Sequence, residues 1–183
     1  MSKRLIILDR DGVINHDSPN YIKSPNDWHP IPGSIEAIAK MRAKGWKIAI
    51  ATNQSGVGRG IIQMVDLFSI HAKLLSSVRQ YGSDIDCIFF CPHRPNQNCS
   101  CRKPKPGMFL EITKRFGISG NSCVTVGDSL RDLKAAEAVS ARSILVLTGN
   151  GERTLMEHKS GLNLMPCKVQ IENDLSSLAE KIS

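Results

Sequence analysis

The chain has 183 residues, a hydrophobic fraction of 41% and a formal net charge of +7. This length suits one domain with a substantial core, and we expect a single domain over residues 1–183. No apolar run approaches the ~20 residues needed to span a bilayer, and the N-terminal apolar run meets Asp9 too soon for a signal peptide. We therefore expect a cytoplasmic protein with no membrane partner.

The basic residues are scattered along the chain, and their densest group is Arg102, Lys103 and Lys105. A nucleic-acid surface is compatible with this charge, but an anionic small substrate explains it equally well. Because the sequence contains no basic block or Arg-rich arm, we expect no nucleic-acid partner.

Short apolar runs alternate with segments of helical periodicity along the chain. The predicted strands are residues 4–8, 46–52, 86–90, 123–126, 143–147 and 168–171. The predicted helices are residues 35–44, 63–80, 106–117, about 130–139 and one that begins at 175. His71 falls on the apolar stripe of the second helix, which predicts a core or boundary histidine rather than a ligand. This alternation predicts an α/β fold with a doubly wound, mostly parallel, Rossmann-like sheet.

Polar residues follow three of the predicted strands at the point where each strand ends. Asp9 and Asp11 follow the first strand, residues 52–56 the second and Asp128 the fourth. In doubly wound sheets the carboxyl ends of the strands form the binding site, and residues two apart in an extended segment point the same way. Three carboxylates in one pocket need a cation, because each like-charge pair at ~4 Å costs about 4 kcal/mol at an effective dielectric near 20. Hard oxygen ligands favour Mg²⁺.

The same residue types suit phosphoryl transfer. One Asp can attack phosphorus and form an acyl phosphate, and a second can protonate the leaving oxygen and then activate water. A hydroxyl, turn amides and a Lys can hold the phosphoryl oxygens, and Thr52, the amides around Asn53 and Lys103 are available for this. We therefore interpret the two aspartates as nucleophile and acid/base rather than as a salt-bridge pair.

Four motifs, in this order, resemble those of the haloacid dehalogenase-like phosphatases: DRDGVIN, TNQSG, CRKPKPG and GDSLRD. More narrowly, the chain resembles the D,D-heptose 1,7-bisphosphate phosphatases and the related histidinol-phosphate phosphatases. The resemblance implies Asp9 as nucleophile, Asp11 as general acid/base, and Thr52 and Lys103 as stabilisers of the phosphoryl group. It also implies a magnesium site formed by Asp9, Asp128 and the main-chain carbonyl of Asp11.

Asp132 follows Asp128 by one helical turn. An Asp in the first turn of a helix often complements the helix dipole. We therefore expect Asp132 to lie beside the cation rather than to bind it directly.

A cysteine and histidine pattern, C-x-H followed by C-x-C, lies just before Arg102. Its members are Cys91, His93, Cys99 and Cys101. Three thiolates and an imidazole make a closed tetrahedral set suited to structural zinc, and the resemblance includes a zinc loop at residues 91–101. Because Lys103 follows this loop closely, we predict that zinc fixes the direction of Lys103. Cys87, Cys123 and Cys167 lie on or near apolar runs and are interpreted as small hydrophobic residues.

The spacing of the motifs leaves no room for a separate cap domain, so we expect an open site whose specificity comes from loops. The resemblance assigns substrate contacts to residues 17–21, to residues 52–55 and to Arg102. By residue, these contacts are Asp17, Ser18, Asn20, Tyr21, Asn53, Gln54, Ser55 and Arg102. Several of these residues are also ordinary turn formers.

The favoured interpretation is a magnesium-dependent phosphatase that removes the 7-phosphate of D-glycero-D-manno-heptose 1,7-bisphosphate. Such an enzyme would supply heptose for bacterial lipopolysaccharide or a related surface glycan, and we expect a monomer. A histidinol-phosphate phosphatase is the alternative with the same chemistry, although Asn15 and the loop at 17–28 favour the heptose branch.

Two alternatives come from other classes of protein. A phospho-acceptor signalling domain would place its acceptor on a middle strand and would not need a zinc loop. A zinc-containing nucleic-acid module would bind in a salt-dependent manner.

Overall fold

A six-stranded parallel sheet forms the centre of the protein, in a computed structural model that describes residues 4–162 and 169–182. The strands are β1 (Arg4–Leu8), β2 (Trp46–Asn53), β3 (Cys87–Cys91), β4 (Cys123–Gly127), β5 (Arg142–Val146) and β6 (Gln170–Glu172). Their order in the sheet is β3-β2-β1-β4-β5-β6, and every neighbouring pair is parallel. This is a doubly wound order, and the prediction of an α/β fold with a parallel sheet is confirmed. The order reverses beside β1, which is where such sheets bind ligands.

Helices cover both faces of the sheet. In the described part of the chain they are α1 (Ser34–Ala43), α2 (Ser55–Gly58), α3 (Met64–Gln80), α4 (Gly107–Phe116), α5 (Leu130–Glu137), α6 (Gly151–Leu162) and α7 (Leu175–Lys181). None of these helices is long and apolar enough to cross a membrane, a finding that covers only the described residues.

The side chains of β1 alternate between two core layers, as the period of a strand requires. Ile6 and Leu8 pack with residues of α1, α3 and α7, whereas Leu5 and Ile7 pack with residues of α4 and α5. All four are at most 1% exposed, and burying one such side chain contributes about 1.5–3 kcal/mol. Because both faces are buried, β1 is a continuous apolar run that ends abruptly at the aspartates.

The predicted elements agree with the observed ones to within about two residues, with two omissions. The single-turn helix α2 is too short to produce a periodic pattern. The first eight residues of α6 contain only two apolar side chains, Leu155 and Met156, and Met156 is 76% exposed. Part of the predicted strand 168–171 is observed as β6, whereas residue 168 and Cys167 lie outside the described residues.

The connections around β1 and β2 are compact. Between β1 and β2 the chain contains a short 3-10 turn, Pro25–Asp27, and helix α1; between β2 and β3 it contains α2 and α3. Within the described residues these segments add no second domain above the strand ends, in agreement with the expected open site.

Candidate active site

The carboxyl ends of β1, β2 and β4 meet at a cleft of about 190 Å³. The predicted site residues that line it are Asp9, Asp11, Asp17, Ser18, Tyr21, Thr52, Asn53, Gln54, Ser55 and Arg102. Asn20 is exposed on the same loop and does not line the cleft. Lys103 and Asp128 are both buried beside Asp9.

Lys103 is held beneath Asp9 with a side chain that is 1% exposed. Its Nζ lies 2.9 Å from Asp9 Oδ1 and 2.6 Å from Asp132 Oδ1, and it donates a hydrogen bond to the carbonyl oxygen of Ala51 at 2.7 Å. These three acceptors match the three N–H groups of an ammonium. Burial disfavours the charged form, but the carboxylates of Asp132 and Asp9 outweigh it, so the pKa of Lys103 is raised. Lys103 therefore stays charged and fixes one oxygen of Asp9.

Asn53 fixes the main chain of Lys103 at the end of β2. Its Nδ2 donates to the Lys103 carbonyl oxygen at 3.0 Å, and the Lys103 N–H donates to Asn53 Oδ1 at 3.1 Å. The segment that carries Lys103 is therefore attached to the sheet independently of the cysteines that precede it.

The Asp11 carboxylate accepts four hydrogen bonds. Arg10 donates from Nε to Oδ1 at 2.9 Å and from Nη2 to Oδ2 at 3.0 Å. The side-chain amide of Asn15 donates to Oδ1 at 2.9 Å and that of Gln54 to Oδ2 at 2.8 Å. Burial raises the pKa of Asp11, but the Arg10 charge and these donors outweigh it, so the pKa is lowered. The structure thus holds Asp11 as a proton-accepting carboxylate, and its protonated form must give up at least one donor.

Asp9, Asp128 and Asp132 form a buried acidic cluster in which one carboxylate oxygen of each lies within 4.8 Å of the others. Asp128 is 0% exposed. Its Oδ2 accepts hydrogen bonds from the main-chain N–H and the Nδ2 of Asn150 at 2.9 and 3.1 Å. Its Oδ1 is buried with no hydrogen-bond partner among the described residues. An orphaned carboxylate oxygen is costly and is a ligand that Mg²⁺ favours, so the residues fit a magnesium ion.

Asp132 already has partners for its carboxylate. It pairs with Lys103 through Oδ1 and accepts a hydrogen bond from the Ser129 N–H through Oδ2 at 3.2 Å. The Ser129 hydroxyl donates to the same oxygen, and the two residues form a capping box at the start of α5. These contacts support the expectation that Asp132 lies beside the cation.

Two glycines make room for the Asp128 side chain. A Cβ atom on Gly12 would lie 2.1 Å from Asp128 Oδ2, and one on Gly149 would lie 2.4 Å from the same oxygen. Gly12 also has φ +82°, a conformation that residues with a Cβ rarely adopt. The backbone around both glycines therefore sets the position of Asp128.

The pKa of Asp9 is raised to about 7. Burial is the largest cause; the Lys103 charge opposes it, and the nearby Asp132 and Asp128 add to it. Without a cation, Asp9 is therefore partly protonated near neutral pH. A bound cation would favour the carboxylate, which is the form able to attack phosphorus.

The predicted cysteine and histidine cluster is assembled beside the cleft. Cys91, His93, Cys99 and Cys101 each offer one ligand atom within 4.8 Å of the others. The contacting pairs of these atoms are 3.2–3.6 Å apart. A zinc–sulfur bond of about 2.3 Å gives a tetrahedron with sulfur atoms about 3.8 Å apart, so a zinc ion fits with a small expansion. The prediction of a metal-binding loop at these four residues is consistent with this arrangement.

Two residues of the site, Arg10 and Asn150, were not predicted from the sequence. Arg10 is 1% exposed, and its Nη1 donates to His71 Nε2 at 3.4 Å. The pKa of His71 is lowered to about 4, by burial and then by the Arg10 charge, so a neutral His71 accepts this bond. In the sequence, Arg10 is distinguished as a cationic residue between two aspartates at a strand end. Nothing near Asn150 indicated that it would contact Asp128.

Arg131 was also missed. It follows the strand-end Asp128 by three residues, lies in the first turn of α5 and lines the cleft. Its basic side chain within the GDSLRD motif was the available signal, but the direction of that side chain depends on how α5 packs against the sheet.

Comparisons with known proteins identify relatives over most of the chain. Residues 100–166 match a family model described as HAD-hydrolase-like. The D-glycero-beta-D-manno-heptose-1,7-bisphosphate 7-phosphatase of Pseudomonas aeruginosa is 50% identical over 155 residues, which are 85% of this chain and 87% of that protein. The protein of the same name from Pseudomonas putida is 46% identical over 179 residues, 98% of this chain and 99% of that protein.

A solved structure is also similar to this chain over most of its length. The crystal structure of D,D-heptose 1,7-bisphosphate phosphatase from B. bronchiseptica, complexed with magnesium and phosphate, has a TM-score of 0.91 and 44% identity to this chain. The similarity covers 97% of this chain and 96% of that one.

A doubly wound sheet with aspartates after β1 and β4 and a buried lysine paired with the first of them defines a haloacid dehalogenase-like hydrolase. The resemblance drawn from the four motifs is confirmed by the relatives. This chain belongs to the D-glycero-beta-D-manno-heptose-1,7-bisphosphate 7-phosphatase family of these hydrolases.

Proposed function

We propose that this protein is a magnesium-dependent phosphatase that removes the 7-phosphate of D-glycero-D-manno-heptose 1,7-bisphosphate through an aspartyl-phosphate intermediate. The observation that carries the proposal is the meeting of Asp9, Lys103 and the orphaned Asp128 oxygen at one strand edge. Relatives named for this activity are 34–50% identical to the chain over the aligned residues. Because their names specify the β anomer, we propose the β anomer as the preferred substrate.

In the first step, the Asp9 carboxylate forms a bond to the phosphorus as the bond from phosphorus to the C7 oxygen breaks. Asp11, in its protonated form, donates its proton to that leaving oxygen. Thr52 Oγ1 accepts a hydrogen bond from Gln54 Nε2 at 2.9 Å, so its own hydrogen is free to bind a phosphoryl oxygen. Lys103 supplies a fixed positive charge beside Asp9 in a water-poor site.

In the second step, a water oxygen bonds to phosphorus as the bond from phosphorus to Asp9 breaks. Asp11 accepts the proton of that water, a role that its four hydrogen-bond donors favour. Phosphate leaves, Asp9 is regenerated as a carboxylate, and Asp11 again holds the proton needed for the next cycle.

Two metal ions complete the proposed enzyme. Asp9, Asp128 and the main-chain carbonyl of Asp11 would hold Mg²⁺, which supplies charge that offsets the clustered carboxylates and the phosphoryl oxygens. Cys91, His93, Cys99 and Cys101 would hold structural Zn²⁺. Arg102 follows this set directly, and its Nη1 donates to the His93 carbonyl oxygen at 3.2 Å.

The remaining parts of the proposal concern substrate and setting. We propose that the substrate is contacted by the cleft residues Asp17, Ser18, Tyr21, Asn53, Gln54, Ser55 and Arg102, and by Asn20, which is exposed on the same loop as Asp17 and Ser18. We also propose a single-domain monomer that acts in the cytoplasm, without nucleic-acid or membrane partners. Its product would serve synthesis of lipopolysaccharide or a related surface glycan.

The test is phosphate release, with magnesium, from both anomers of heptose 1,7-bisphosphate and from histidinol phosphate. Asp9→Asn is assayed beside wild type, and Asp66→Asn, which removes a carboxylate from the first turn of α3, is the matched control. We expect fastest release from the β anomer, a loss of roughly 10³-fold or more in Asp9→Asn, and no loss in Asp66→Asn.

Other outcomes would replace parts of the proposal. Faster release from histidinol phosphate would retain the mechanism and change the substrate. Phosphate that stays on Asp9 in equimolar amount, without turnover, would indicate a phospho-acceptor domain instead.

A further inference from the structure

Arg131 presents an uncommitted guanidinium to the active-site cleft. The side chain is exposed at the start of α5 and lines the cleft together with Arg102 and Asp17. Four acidic residues act on it through charge alone, and within the described residues it has no hydrogen-bond partner. A guanidinium that faces a cleft and has no hydrogen-bond partner is a candidate for binding an anionic part of the substrate.

The other cleft arginines differ from Arg131 in what they contact. Arg10 is buried and binds Asp11 and His71. Arg102 is half-buried, and one of its nitrogens donates to the His93 carbonyl oxygen. One nitrogen of the Arg102 guanidinium is therefore already engaged, whereas all the N–H groups of the Arg131 guanidinium remain available to a ligand.

The two available arginines reach the cleft from elements on opposite sides of β1. Arg102 precedes Lys103, whose main chain is bonded to Asn53 at the end of β2. Arg131 follows β4, and β2 and β4 are the two neighbours of β1 in the sheet. A substrate whose reacting phosphate sits on Asp9 therefore has a guanidinium on either side.

A sugar bisphosphate extends beyond the inner part of this site. The cleft encloses about 190 Å³, less than the ~300 Å³ that is the lower range for sites of drug-sized ligands. Thr52 and Lys103 lie at Asp9 and are needed by the phosphate that reacts. The second phosphate consequently lies toward the rim, where a bidentate guanidinium is the best-suited partner.

We propose that Arg131 is a specificity-determining residue that binds the phosphate that is not transferred, from the side of the cleft opposite Arg102. The inference rests on the proposed function, because it requires a substrate with two phosphates. It adds to that function a residue that distinguishes a bisphosphate from a monophosphate.

The experiment compares heptose 1,7-bisphosphate with heptose 7-phosphate as substrates for wild type, Arg131→Ala, Arg131→Lys and Lys134→Ala. Lys134 is an exposed cation on the same helix that does not line the cleft, so it is the matched control. We expect Arg131→Ala to lower kcat/KM for the bisphosphate about 10- to 100-fold, mainly through KM, because a charge-assisted contact is lost. We expect the monophosphate to be unaffected, Arg131→Lys to recover part of the loss, and Lys134→Ala to behave as wild type.

Two kinetic results would overturn the inference. Equal losses on both substrates would mean that Arg131 only balances the acidic cluster around Asp9. No loss on either substrate would mean that Arg131 does not contact the second phosphate.

A binding measurement separates this inference from the proposed function. Calorimetry on Asp9→Asn and on Asp9→Asn/Arg131→Ala compares their affinities for the bisphosphate and the monophosphate without turnover. Failure of the proposed function is seen as wild-type protein that releases no phosphate from the bisphosphate. Failure of the present inference is seen as equal bisphosphate affinity in the two variants, and that result overturns it even if wild type is active.

Discussion

Asp9 should make the magnesium-free protein less stable as pH rises from about 4 to 8. Its pKa is raised from 3.8 to about 7 in the folded protein, so the folded state binds this proton more tightly than the unfolded chain does. The stability that this proton contributes is complete below the unfolded pKa and is lost as pH rises through about 7. A difference of about three pKa units, at 1.36 kcal/mol for each, corresponds to about 4 kcal/mol.

Urea unfolding in magnesium-free buffer, with the same zinc concentration for both proteins at each pH, measures this effect. Wild type should lose about 4 kcal/mol more than Asp9→Asn between pH 4 and pH 8, because the amide cannot ionise in the buried cluster. Magnesium should restore much of the loss in wild type at pH 8, since a ligand that binds only the folded state stabilises it by mass action. The same addition should have a smaller effect at low pH, where Asp9 is protonated.

The variant Asp9→Asn is also the control, because every other titrating group is shared with wild type. If the two proteins showed the same change in unfolding free energy over this pH range, the reasoning about Asp9 would be refuted.

Three further changes test other parts of the site. Gly12→Ala should weaken magnesium binding at least about 10-fold, measured by titration of activity, because its Cβ would meet Asp128 Oδ2 at 2.1 Å and displace a proposed ligand. Lys103→Met should lower kcat about 10²- to 10³-fold, the loss usual for one stabilising donor in the transition state. Cys99→Ser should release zinc, measured by metal analysis, and lower kcat less than Lys103→Met does, with magnesium affinity unchanged.

The glycine and cysteine changes each have a matched control variant. Gly45→Ala has a similar φ of +88° but meets nothing within 4 Å, so it should leave magnesium affinity unchanged; equal effects of the two alanines would show that backbone strain alone is responsible. Cys87→Ser, at a half-buried cysteine outside the zinc set, is the control for the zinc variant. Full turnover by folded, zinc-free protein would contradict the prediction that zinc in the loop fixes the direction of Lys103.

The sheet could be predicted because most of its strands are short, largely apolar runs of the sequence. The aspartates after β1 and β4 mark the strand ends themselves. Helix α6 could not be found in this way, since the first eight residues of its segment contain only two apolar side chains, Leu155 and Met156.

The sequence predicted that most of these residues lie close together, but it did not predict which groups each side chain contacts. Side chains two residues apart in a strand point the same way, which predicts that Asp9 and Asp11 share one pocket. Both do line the cleft. Their partners nevertheless differ: Asp9 faces Lys103, whereas Asp11 faces the Arg10 guanidinium. The chain leaves the extended conformation at Gly12, where φ is +82°, and a turn of this kind is not encoded in strand periodicity.

Asn53 is another residue whose location, but not whose contacts, could be predicted from the sequence. Its position after β2 indicated a role at the phosphoryl group, and it does line the cleft. Its side chain, however, is occupied by two hydrogen bonds to the main chain of Lys103. The contact joins residues that are 50 positions apart in the chain, and neither local propensity nor motif spacing specifies it.

The short connections between β1, β2 and β3 have a kinetic consequence. Enzymes that close a lid or domain over the substrate are often limited by the opening that releases product, and the segments around this cleft supply no such domain within the described residues. In the proposed reaction, departure of the sugar would then be an ordinary dissociation, and water would reach the phosphorylated aspartate as soon as the sugar has left. The distal half of the substrate would be the group that excludes bulk water during the first step, so we expect a shorter phosphate ester to react more slowly even where it binds.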